Sequence, residues 1–205
     1  MNFQTLHECR LPYSKKLTDE SHEFEKYLET INRQIKDIEK LVNEFSSFAR
    51  MPRPMLKRID IENLINNSVN FFKLSSKNSI KILKKSNSTL IDGDEDQLNR
   101  VFINLIKNSE EAFSDILKKK PNFKGNIHIE INENNDYIII ILTDNGTGIT
   151  NAKKAMTPYF TTKKTGTGLG LPIVSKIINE HSGNFSIANK LIGTGTVVTI
   201  SFPKN

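Results

Sequence analysis

The chain reads as an α+β protein: a helical hairpin at the N-terminus, then an α/β sandwich in which a mixed sheet lies under helices. Three observations lead there. From about Ser21 to Arg50, apolar side chains recur at alternating steps of three and four, with no glycine or proline between. "RMPRP" at Arg50–Pro54 ends that pattern, because two prolines so close forbid continued helical bonding. Beyond it, helical stretches come in runs and alternating stretches come in pairs, unlike the strict alternation of a parallel α/β fold. A domain boundary is expected there, with residues 1–52 helical and residues 53–205 forming the sandwich.

The elements follow in order. Thr5–Leu17 makes a short helix, with a turn near Thr18–Ser21. The long helix after it carries Leu28, Ile31, Ile35, Ile38, Val42, Phe45 and Ala49 along one edge. A hairpin with so large an apolar seam is expected to pair with a second copy as a four-helix bundle. Ile59–Ile61 is an edge strand, Glu62–Lys73 a helix, and Ile80–Leu83 and Thr89–Ile91 are short strands. Asp94–Lys119 is a long amphipathic helix. "NIHIEINE" and "YIIIILT" form a hairpin across Asn134-Asn135. Pro172–His181 is a helix, and "GNFSIAN" and "GTGTVVTISFP" close the sheet.

Bulk properties exclude more than they assert. The formal charge is +6 and the pI near 9.3, yet the basic residues are scattered and only Lys118-Lys119-Lys120 is compact, so no nucleic-acid partner is expected. One cysteine, Cys9, rules out an internal disulfide framework and fits a reducing compartment. "YIIIIL" at Tyr137–Leu142 is far too short to cross a bilayer, and "MNFQTLHECR" lacks the apolar core of a signal peptide. The expected location is the cytoplasm.

Two glycine clusters carry the chemistry. On the Asp94–Lys119 helix, Asn104 and Asn108 stack four residues apart at the edge of the apolar stripe, where amide oxygens suit a hydrated hard cation such as Mg²⁺. A plain polar surface pair would look the same. "DNGTGI" at Asp144–Ile149 follows a strand directly, and is either a tight turn or a carboxylate facing a cavity, with Gly146 and Gly148 allowing close approach. "GTGLGL" at Gly166–Leu171 enters a helix, and free N–H groups at a helix start suit phosphate. Its spacing, with no strand leading in, fits neither the Rossmann fingerprint nor the Walker loop.

In order, the chain presents Asn-x-x-x-Asn on a helix, D-x-G-x-G after a strand, "PYFTTK", G-x-G-x-G before a helix, and "GTGT" at Gly193–Thr196. Together these resemble the boxes of the histidine kinase catalytic domain, of the GHKL ATPase superfamily that also holds gyrase B and MutL. The resemblance covers about Ile59–Pro203 and implies binding of ATP and Mg²⁺ beneath a lid formed between the glycine clusters. By position, Asp144 resembles the adenine-binding aspartate and Asn108 the Mg²⁺ ligand. Asn104 stands where hydrolytic members carry a glutamate, and an amide cannot act as general base. Gly166, Gly168 and Gly170 match the phosphate loop, Lys163 a lid cation near the γ-phosphate, and Thr196 a residue at the phosphate or adenine rim.

The heptad helix ending "LVNEFSSFARMPRP" resembles the second dimerisation helix of NtrY-type nitrogen-regulation sensor kinases. That resemblance implies a homodimer, a phosphoacceptor histidine and a response-regulator partner whose aspartate takes the phosphoryl group. "HECRLP" matches the acceptor pattern through His7, Glu8, Arg10 and Pro12, with His7 as acceptor and Glu8 as base. Leu11 departs from the Asn or Thr usual there, which puts phosphatase activity in doubt. The short stretch before the heptad helix leaves a second register open, with the acceptor outside this chain. It also leaves open a degenerate, non-catalytic module that binds nucleotide, dimerises and docks a regulator.

Overall fold

The computed structural model describes residues 3–73, 76–163 and 166–204, with side chains from residue 23 onward apart from residue 40. The chain divides into two compact units, Met1–Ala49 and Arg50–Asn205.

The first unit is one helix, α1 (Phe3–Ala49), of 47 residues. At about 1.5 Å per residue it is about 70 Å long. The expected hairpin is therefore corrected: the chain passes through Thr18–Ser21 without turning. Those four residues include neither glycine nor proline, and cooperative helical bonding continues through them. Pro12 removes one backbone donor without ending the helix. The apolar edge is as expected, and Leu28, Ile31, Ile35, Ile38, Val42 and Phe45 are all exposed along it.

The second unit is an α+β sandwich. Its main sheet has five strands: β2 (Ser79–Lys84), β4 (Asn126–Glu133), β5 (Tyr137–Asp144), β6 (Asn184–Asn189) and β7 (Thr196–Pro203), in the order β2-β4-β5-β7-β6. β2 runs parallel to β4 and the other pairings are antiparallel, so the sheet is mixed as expected. β1 (Lys57–Asp60) and β3 (Leu90–Gly93) form a separate two-stranded sheet. Three helices complete the core: α2 (Ile61–Lys73), α3 (Glu95–Leu117) and α5 (Gly170–Glu180). A four-residue helix, α4 (Ala152–Ala155), capped by the Asn151 side chain, lies in the segment before α5.

Period-two alternation builds the core. Ile127, Ile129 and Ile131 of β4, Ile138, Ile140 and Leu142 of β5, and Val198, Ile200 and Phe202 of β7 are all buried. From α3, Leu98, Val101, Phe102, Leu105, Ile106 and Phe113 are buried too, the 3.6-residue stripe of a helix with one face inward.

Asp94 fixes the start of α3. Its Oδ1 accepts from the Gln97 amide at 3.1 Å and its Oδ2 from the Met55 amide at 2.9 Å. Burial works to raise its pKa, but the Met55 and Gln97 amides, together with smaller favourable contributions from its surroundings, hold the carboxyl below its ordinary range. The same residue's N–H donates to Nε2 of buried His181 at 2.9 Å, while His181 Nδ1 lies 2.8 Å from the Ile177 carbonyl. An acceptor at Nε2 requires the Nδ1–H tautomer, so His181 stitches the end of α5 to the start of α3.

Candidate functional site

Strand β5 delivers the first functional group. Counting by twos from Ile138, Ile140 and Leu142 reaches Asp144, so the alternation that buries three apolar residues also buries this carboxylate, which is 4% exposed. A carboxylate there is costly without donors. Oδ1 accepts from the amides of Gly146 at 2.8 Å and Thr196 at 3.1 Å. Oδ2 accepts from Ser109 Oγ on α3 at 3.1 Å. Oδ1 thus has both lone pairs engaged by backbone, and Oδ2 retains capacity for one further donor.

The turn after Asp144 is tied down residue by residue. Asn145 accepts from the Asn126 amide at 2.8 Å and donates to the Lys124 carbonyl at 3.0 Å, fastening the turn to the start of β4. A Cβ on Gly146 would press on the Ala112 Cβ of α3. Ile149 is gripped at both backbone groups by the Asn189 amide, at 2.6 and 2.8 Å, and Gly148 packs against that same side chain. Gly195 is required outright: its φ is +122°, and a Cβ there would overlap the backbone carbonyl of Asp144.

Asn104 and Asn108 sit half-buried on α3. The Asn104 amide nitrogen donates to the Arg100 carbonyl at 2.8 Å, which leaves its oxygen directed away from the helix. A Cβ on Gly170 would come to 3.4 Å from that oxygen and 3.9 Å from the Asn108 amide nitrogen. The start of α5 therefore stands against both asparagines. It begins at Gly170, two residues before the expected Pro172, and has neither a side-chain cap nor an acidic residue in its first turn. Such a helix start presents unpaired donors and a positive dipole end toward the asparagines.

The segment between the glycine clusters folds back on itself. The Tyr159 amide donates to the Gly168 carbonyl at 3.1 Å, and at Gly168 (φ +70°) a Cβ would lie 2.5 Å from the Tyr159 carbonyl carbon. Gly166 donates to the Lys163 carbonyl at 3.3 Å. Lys163 itself reaches α3, where its ammonium pairs with Glu111 at 2.5 Å. The structure thus brings Asp144, Gly146 and Gly170 against α3, which carries Asn104 and Asn108, with Thr196 joined through Asp144 and Lys163 bound a turn beyond Asn108; the neighbours of Gly148, Gly166 and Gly168 are loop residues and Asn189. The side chains of His7 and Glu8 lie outside the described residues.

Ser109, Glu111 and Asn189 were missed from sequence. Ser109 had a signal, a hydroxyl in an otherwise apolar stripe; Glu111 and Asn189 are ordinary surface residue types. The amide oxygens of Asn104 and Asn108 beside a positive helix end fit a hard, hydrated cation carrying phosphate. Among the described residues, no group of three or more His, Cys, Asp or Glu side chains offers another metal site. No helix among them is long and apolar enough to cross a membrane.

Residues 93–205, more than half of the chain, match the family model described as histidine kinase-, DNA gyrase B-, and HSP90-like ATPase. The chain belongs to this family, as its boxes indicated. Its relatives include sensor histidine kinases of the NtrY-like kind. A Rickettsia bellii protein so named is 38% identical over 187 residues, covering 89% of this chain and 29% of its own length. The chain thus spans under a third of that relative. The catalytic domain of histidine kinase ThkA has a TM-score of 0.62 and 26% identity, covering 73% of this chain and 95% of its own. ThkA in complex with the response regulator TrrA has a TM-score of 0.68 at 21% identity, over 88% of this chain and 51% of that one, which speaks to the fold alone.

Proposed function

We propose that the chain is the transmitter portion of an ATP-dependent protein-histidine kinase, with residues 1–52 for dimerisation and phosphotransfer and residues 53–205 for catalysis. The observation that carries this reading is the buried Asp144 carboxylate, held by three donors and keeping one acceptor position on Oδ2. That position accepts a hydrogen bond from the exocyclic amine of adenine. Thr196 serves this site through its amide, holding Oδ1. The amides around Gly166, Gly168 and Gly170 receive phosphate, and Lys163 adds a cation. Asn108, beside Asn104, holds Mg²⁺ through an amide oxygen. When bound, the metal neutralises phosphate charge.

An amide at Asn104 takes no proton from water, which favours transfer over hydrolysis. In the transfer, a bond forms between an imidazole nitrogen of His7 and the γ-phosphorus, the bond to the β-phosphate oxygen breaks, and Glu8 receives the imidazole proton. The phosphoryl group then passes to an aspartate of a response regulator. The exposed seam of α1 joins two copies. This portion works in the cytoplasm, where ATP and such regulators are found.

Incubation with γ-labelled ATP is expected to leave an acid-labile, base-stable label that His7→Gln abolishes. Label persisting in that variant overturns the assignment of His7. The unbroken run of α1 favours a second reading, because a helix without a return leaves residues 1–52 short of a hairpin. On that reading the chain binds nucleotide and docks a regulator without catalysis. Nucleotide uptake with no phosphohistidine, even with an added acceptor domain, distinguishes it.

A further inference from the structure

Glu111 follows Asn108 by three residues and Asn104 by seven, so the three side chains leave α3 on one face. Its Oε2 takes the Lys163 ammonium at 2.5 Å, across 52 residues of sequence. Neither side chain is deeply buried, with 31% of Lys163 and 40% of Glu111 exposed. The adjacent carboxylate has a different task. Glu110 accepts from Ser76 Oγ at 2.8 Å and from Asn78 Nδ2 at 2.6 Å, bracing the chain that leads into β2.

Two bonds of the lid segment beside Lys163 are local. Phe160 donates to the Thr157 carbonyl at 3.2 Å, and the Lys163 amide to Thr161 Oγ1 at 3.1 Å. These shape the segment without attaching it to α3. The Lys163–Glu111 pair does attach it, and it ends on the helix face that carries both asparagines.

The geometry points to Glu111 as a nucleotide-specificity residue that acts through Lys163. It keeps the ammonium against α3 and releases it to the terminal phosphate of a nucleoside triphosphate. While it rests on this carboxylate at 2.5 Å, the ammonium can offer a phosphate only its remaining N–H donors, with its charge already countered and its position fixed to α3. A half-exposed pair is weak enough to exchange. A triphosphate has the charge and length to compete for the lysine, whereas a diphosphate lacks the terminal group. Glu111 thereby sets the preference between the two. This inference rests on the nucleotide-binding reading above, and Glu111 is a positioning residue rather than a catalytic one.

The test uses the full 205-residue chain. Calorimetric titration with Mg-ATP and Mg-ADP compares wild type, Glu111→Gln, Glu111→Asp, Lys163→Ala and the Lys163→Ala/Glu111→Gln double variant. Glu111→Gln is expected to tighten Mg-ATP about two- to fivefold, the worth of an exposed ion pair, and to leave Mg-ADP unchanged. Glu111→Asp should behave as wild type, and Glu111→Gln should add nothing to Lys163→Ala. An equal gain for both nucleotides, or a gain that persists without Lys163, overturns the inference, since Glu111 then acts by plain charge repulsion.

Hydrogen exchange in ligand-free protein reads the tether alone. Amides of Thr157 and residues 159–163 should exchange faster in Glu111→Gln and Lys163→Ala alike, with no further increase in the double variant. Unchanged exchange refutes the tether. A wild-type chain that takes up neither nucleotide refutes the nucleotide reading instead, a result separable because the exchange measurement needs no ligand.

Discussion

Replacing Asp144 with Asn tests the site at its most constrained atom. The two side chains have the same shape, so the change is confined to one atom and the charge it carries. Oδ1 accepts from the amides of Gly146 and Thr196, which forces the Asn oxygen into that place. The Asn nitrogen must then take the place of Oδ2. Ser109 accommodates it, because its hydroxyl is also 3.3 Å from the Leu105 carbonyl and can donate there while accepting from Asn. On the proposed reading, an adenine amine then meets a donor where it had an acceptor. Loss of that bond, with an unpaired polar group left behind, costs about 2–3 kcal/mol, or roughly 30- to 150-fold in affinity.

Calorimetric titration with Mg-ATP measures this, beside a thermal melt to verify that the variant is folded. A triphosphate of purine riboside, which lacks the exocyclic amine, supplies the other half of the cycle. Wild type should bind it about as weakly as Asp144→Asn binds ATP, and the variant should no longer tell the two nucleotides apart. Undiminished ATP binding by a folded Asp144→Asn chain refutes Asp144 as the adenine acceptor.

Other outcomes follow from the same structure. Gly195→Ala forces a Cβ onto the Asp144 carbonyl at a φ of +122°, so it should cost at least about 2–3 kcal/mol and lower Tm by roughly 4–12 °C in a calorimetric scan. The Asp94 carboxyl is held below its ordinary pKa, so its stabilisation is present above the unfolded-state value and disappears as pH falls through the lower folded value. Asp94→Asn keeps a capping oxygen without that titration, so melts run from pH 6 downward should show wild type and variant converging in the acid range. Ile35→Asp places a charge in the exposed α1 seam. In the dimer proposed above, each copy would then withdraw one apolar side chain from the interface, at about 2 kcal/mol apiece, which should weaken association roughly a thousandfold in analytical ultracentrifugation.

Much of the second unit was legible because its signals are local. The alternation "YIIIILTD" specifies both a strand and a buried position for its final aspartate. The α3 stripe places Asn104 and Asn108 together on one edge through helical geometry alone. α4 escaped notice because four residues carry no period, its cap at Asn151 being the sole signal. The turn expected at Thr18–Ser21 failed for the opposite reason: polar residues permit a turn without requiring one, and an established helix continues unless a residue breaks it.

The order of the boxes and the periods of strands and helices are written along the chain, and with them the residue types that can meet at the site. Folding in three dimensions was needed to fix which oxygen of Asp144 the backbone consumes, that Ser109 shares the other, and that Gly195 lies against the Asp144 carbonyl. It also decided that Lys163 is held by Glu111. Periodicity acts along a few neighbouring residues, whereas these partners, Gly146 apart, lie 35 to 52 positions away. What selects them is the pairing of β5 with β7, the approach of the end of β5 to α3 and the return of the Lys163 segment to that helix, which set donor and acceptor at bonding distance where nothing in either local stretch specifies it.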